Sequence, residues 1–145
     1  MILLTRGALV RWTSVTEFTA GYPRYTPFDY DTLMSVLTAN DYQTAALQTA
    51  IYPNIGSNYI YPTLGLVGEA GEVAEKAKKL IRDGDGVLTD PDREKIALEV
   101  SDVMWYIAVL AFELDYTLEE IMTMNLNKLT SRQQRGVLSG SGDDR

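Results

Sequence analysis

The chain has 145 residues, a formal net charge of −7, 46% apolar and 23% charged residues, and neither cysteine nor histidine. That length suits one domain with its own core, and the negative charge argues against a nucleic-acid surface built on bulk electrostatics. The missing residue types exclude disulfides, thiolate chemistry, Ser–His–Asp and Cys–His nucleophile systems, His-ligated zinc and the Glu-x-x-His pairs of di-iron bundles.

Chemistry is therefore left to carboxylates, Lys, Arg, Tyr, Asn and a hard metal with oxygen ligands. An anionic small substrate stays compatible, because bound metal ions reverse the local sign of charge. No apolar run is long enough to span a membrane. The opening MILLTRGALV is interrupted by Arg6, which reads against a signal peptide, so the cytoplasm is the expected location.

Residues 1–37 show no sustained period. Gly21, Pro23 and Pro27, interleaved with Tyr22, Tyr25 and Tyr30, read as an irregular or partly disordered extension. The spacing predicts a helical domain over 38–135. Thr38 to Asp41 starts a helix that runs to about Tyr52, and Pro53 to Pro62 is a loop. A second helix from about Pro62 to Arg82 carries one apolar stripe, with Glu69, Glu72, Lys76 and Lys79 on its flank; Asp83-Gly-Asp-Gly86 ends it. Asp90 as N-cap and Pro91 at the first position open a third helix reaching about Leu114. Thr117-Leu-Glu-Glu120 is a capping box for a fourth, Leu118 to about Gln134. The tail 136–145 is small and polar and reads as mobile. No strand alternation stands out, and the predicted fold class is an all-α, four-helix bundle.

The third helix carries the main signal. ALEVSDVMWYIAVLAFEL is apolar on almost every side, yet Glu99, Asp102, Tyr106 and Glu113 fall within a sector of roughly 60°. A helix this apolar is expected to be largely buried, where unpaired carboxylates are costly. Glu69 and Glu72 form a second pair at i,i+3. Surface ion pairs with Lys76 and Lys79 would account for that pair alone, but not for Glu99 and Asp102. Two acidic pairs on facing helices point to a site for one or two Mg²⁺ ions, which keep waters and bind phosphate.

Glu69-x-x-Glu72 followed by Glu99-x-x-Asp102, set in GLVGEAGEVAEKAKK and EVSDVMWYIAVLA with NLNKLTSRQQRG downstream, resembles the acidic signature of the all-α NTP pyrophosphohydrolase superfamily, especially its MazG-like branch. The resemblance covers roughly residues 38–145. It implies an enzyme that uses Mg²⁺, with Mn²⁺ as a substitute, to cut an NTP or dNTP between the α and β phosphates. The products are a nucleoside monophosphate and pyrophosphate. Glu69, Glu72, Glu99 and Asp102 would be the metal ligands and catalytic acids, one of them or a neighbouring acid orienting the attacking water. Lys79, Asn125, Lys128 and Arg132 are candidates for phosphate contact, and Gln43 and Trp105 for the base, although core packing also accounts for Trp105.

A homodimer or homotetramer is expected, its interface burying part of the Val103–Phe112 surface, with neither nucleic acid nor membrane as a partner. The alternatives are a relative acting on dUTP, phosphoribosyl-ATP or an alarmone, and a non-catalytic helical module that binds a metal or a partner protein. The tail would either close over the triphosphate or stay loose.

Overall fold

A computed structural model describes residues 38–139, together with the backbone of two short strands in the N-terminal segment. Four helices follow in chain order: α1 (Ala39–Gln48), α2 (Ile60–Asp83), α3 (Asp90–Glu113) and α4 (Leu118–Gln134). The domain is all-α, as expected. The strands β1 (Ile2–Thr5) and β2 (Ala8–Arg11) pair antiparallel, from Ile2 opposite Arg11 to Thr5 opposite Ala8. The sequence reading gave no strand here, since four-residue runs are too short to show a period. The remainder of the extension expected over 1–37, and the last six residues of the tail, lie outside the described residues.

The helix ends follow local chemistry. Thr38 caps α1 and Thr117 caps α4, each accepting from the third residue's N–H while Asp41 or Glu120 reaches back to the cap N–H. α3 begins one position earlier than its sequence suggested: Thr89 is the cap residue, its hydroxyl donating to Asp92 at 2.5 Å, and Asp90 is already helical. α1 stops at Gln48, four residues short of the expected end, where the Thr49 hydroxyl donates to the Ala46 carbonyl at 2.8 Å. α4 closes with Gly136 at φ 69°, Val137 N–H reaching back to the Arg132 carbonyl at 2.9 Å.

α2 and α3 form a long antiparallel hairpin, and among the described helices α2 packs on α3 alone. The pairing is fixed at one end by Gly65, where an added Cβ would lie 2.1 Å from the Tyr106 ring. α1, α3 and α4 meet in a small core around Ala46, Ala108 and Leu118, with Tyr42, Trp105 and Ile107 against it.

The expectation that α3 is largely buried needs correction for a single chain. Ala108, Val109 and Ala111 are buried, but Leu98 is 61% and Met104 48% exposed. α2 covers one side of α3 at least as far as Tyr106, while Leu98 and Met104 are left uncovered in the described chain. No helix among the described residues is long and apolar enough to cross a membrane.

Candidate metal centre

Antiparallel pairing of α2 on α3 sets the register of the acids. One turn beyond the Gly65–Tyr106 contact, Glu69 faces α3, and oxygens of Glu69, Glu99 and Asp102 all lie within 4.8 Å of one another. Glu69 and Glu99 are half-buried and Asp102 is exposed. Burial, and then the charges of Asp102, Glu99 and Glu72, push the Glu69 carboxyl above its usual range. Phenols surround the cluster. Tyr106 is raised by burial and by Tyr61, Glu69 and Asp102, and Tyr42 by burial and Asp102.

Three oxygen donors at this spacing suit a hard divalent cation. Opposite ligands of Mg²⁺ stand roughly 4 Å apart, and those of Ca²⁺ roughly 5 Å. Small side-chain rotations would draw the three carboxylates onto Mg²⁺. A cation there would also remove the like-charge repulsion that raises Glu69.

Glu72 is exposed, one helical turn from Glu69 and close enough to add to its repulsion, but outside the group of three. Lys76 does not pair along its own helix with Glu72. It crosses to Glu99, Nζ to Oε1 3.0 Å, and that carboxylate raises the Lys76 pKa. Lys79 pairs with Glu75 at 3.2 Å, ten residues and about 15 Å of helix beyond Glu69. Asn125 and Lys128 are exposed on α4, which packs on α1 and α3 but not on α2. Arg132 is folded against the domain at 9% exposure.

Two residues expected to read the base are built into the fold. Gln43 is 6% exposed; its amide donates to the carbonyls of Ala108 and Tyr116, both at 3.1 Å, and its oxygen accepts from Leu118 N–H at 2.9 Å. Trp105 packs on the core, donates its indole N–H to the Thr49 hydroxyl at 2.8 Å and meets Tyr106 edge-on. Both side chains have their polar groups engaged by the protein.

Glu113 keeps its angle on α3 but stands apart from the cluster. Its oxygens accept from the Tyr52 hydroxyl at 2.5 Å, Gly56 N–H at 2.9 Å and Asn58 N–H at 2.7 Å, tying the loop before α2 to the end of α3. Burial and this carboxylate push the Tyr52 phenol far up, so it stays a donor, and its ring stacks on Tyr61 at 4.8 Å. Periodicity places Glu113 near the other acids in angle, but it stands 11 residues, about three turns, beyond Asp102 along the axis. Glu113→Gln, which replaces one acceptor oxygen by an amide facing these donors, is expected to cost about 1–3 kcal/mol. Thermal denaturation checks this.

The model of the MazG nucleotide pyrophosphohydrolase domain matches residues 62–137, which contain all four acids of the signature. The chain is also similar to the Gene 37 protein of Mycobacterium phage L5, with 53% identity over 109 residues, covering 72% of this chain and 96% of that protein. No solved structure matches. With the match spanning more than half of its length and both acidic helices, the chain belongs to the MazG nucleotide pyrophosphohydrolase domain family.

Proposed function

We propose that the protein is a Mg²⁺-dependent nucleoside triphosphate pyrophosphohydrolase. It would cut an NTP or dNTP between the α and β phosphates, releasing a nucleoside monophosphate and pyrophosphate, with Mn²⁺ able to replace Mg²⁺. The observation that carries this reading is the convergence of Glu69, Glu99 and Asp102 from two helices within 4.8 Å. The family match supports the reaction class.

In this reading Glu69, Glu99 and Asp102, with Glu72 beside them, hold the cation. When bound, it supplies positive charge against phosphate oxygens and acidifies water. Phosphoanhydride hydrolysis needs charge stabilisation more than covalent chemistry, which suits a chain lacking His and Cys. A member of the acidic group orients the attacking water. Lys79, Asn125, Lys128 and Arg132 are the candidates for the phosphates. The test is pyrophosphate release across NTPs and dNTPs with Mg²⁺, with Mn²⁺ and with chelator. Release only with a divalent ion supports the reading; no turnover of any nucleotide sinks it and leaves the non-catalytic module.

The site also belongs to an assembly. Leu64 and Val67 on α2 are each 68% exposed, and Leu98 and Met104 on α3 are 61% and 48% exposed. α2 rests on α3 alone, so a second copy laid along the hairpin would bury these side chains and complete a bundle. Light scattering at micromolar concentration is expected to give two or four times the 16.2 kDa of the chain. A monomer would contradict it.

A further inference from the structure

Lys76 lies at the junction of two features. Its ammonium sits 3.0 Å from Glu99, one of the three clustered acids, and both side chains are well covered, at 30% and 20% exposure. The same residue lines a cavity of about 410 Å³ between α2 and α3, where Lys79, Lys95, Asp83 and Asp92 also contribute. Lys79 and Lys95, whose side chains are 47% and 62% exposed, pair there with Glu75 at 3.2 Å and with the half-buried Asp92 at 3.4 Å. Such pairs exchange at little cost.

We propose that Lys76 takes the electrostatic place of the divalent ion before it arrives, and turns into the adjacent cavity toward a phosphate when a cation occupies Glu99. This rests on the metal reading above. An ammonium held against Glu99 repels a divalent ion at the same carboxylate, and four methylenes let it swing away without moving α2. The cavity then offers a displaced ammonium an anionic partner, the phosphate of a nucleotide, beside two further lysines. A bare ion therefore binds against Lys76, while an ion arriving with a polyphosphate gains from it. Cation and nucleotide become positively coupled through one side chain.

The test is Mn²⁺ binding to the full chain without nucleotide, by titration calorimetry, for wild type, Lys76→Met and Lys76→Arg. Methionine keeps the stem and removes the charge, so its affinity is expected to rise about tenfold, while the arginine variant stays close to wild type. Equal or weaker binding by Lys76→Met overturns the proposal, since a side chain that merely positions Glu99 would give that result. Absence of Mn²⁺ binding in wild type and both variants overturns the metal reading and this proposal together. A second readout needs no variant: the side-chain amine resonance of Lys76 in ¹⁵N-lysine-labelled protein should move on Mg²⁺ addition. A resonance that does not move overturns the swing.

Discussion

Asp102→Asn is expected to remove Mg²⁺-dependent pyrophosphate release almost completely, by about a thousandfold or more, while leaving the fold intact. Several kcal/mol of charge stabilisation is what a bound metal contributes to phosphoryl chemistry, and each 1.36 kcal/mol is tenfold in rate. Asparagine keeps the shape of aspartate but supplies a neutral oxygen. Asp102 is exposed and crowded by Glu69 and Glu99, so deleting its charge relieves repulsion in the metal-free protein. Activity and stability should therefore move in opposite directions, as expected where a site is arranged for a ligand it must bind. Without metal, the variant should melt at or above the wild-type temperature.

Mg²⁺ should raise the melting temperature of wild type, because it binds the native state only, and that rise should shrink in the variant. Glu72→Gln is expected to lower turnover as well, although Glu72 stands outside the cluster of three. An Asp102→Asn enzyme that retains full turnover would disconnect the acidic cluster from the reaction.

The acids were legible because their spacing is helical and their surroundings are not polar. Glu69 and Glu72, Glu99 and Asp102 each stand at i,i+3, and a hairpin of two 24-residue helices brings three of the four together. Caps were legible too, since Thr38 to Asp41 and Thr117 to Glu120 act within one turn. Partners across helices were less so. That Lys76 reaches Glu99 rather than Glu72 depends on the register of α2 against α3, which is set by the Gly65–Tyr106 contact and not by any period. Glu113 shows the same limit: its helical angle is right for the cluster, and its distance along the axis gives it to the loop. Burial of α3 was overestimated because apolar sequence alone does not say which face a neighbour covers: Leu98 and Met104 are apolar yet exposed in the single chain.

Gln43 separates a reading based on residue type from one based on position. A glutamine in a nucleotide-binding candidate suggests an amide that reads base edges, yet this one joins α1 to the end of α3 and the start of α4. Gln43→Leu keeps the approximate volume and leaves the Ala108 and Tyr116 carbonyls and the Leu118 N–H without this partner. Unsatisfied buried groups cost about 1–3 kcal/mol each. Partial access of water around Tyr116 lowers the sum, and a loss of about 3 kcal/mol is expected. For a domain of this size that is a fall in melting temperature of roughly 10 °C or more.

Gln43→Glu should be worse at neutral pH, because a carboxylate would face two carbonyl oxygens in a site only 6% exposed. Its folded pKa would lie above the unfolded one. The destabilisation is then present above the folded pKa and relieved as pH falls through it, when the protonated acid donates to one carbonyl. Denaturation of both variants between pH 5 and 8 reads this directly. In protein that remains folded, the ratio of kcat/KM between different bases should match wild type. A changed ratio with unchanged stability would return Gln43 to the substrate.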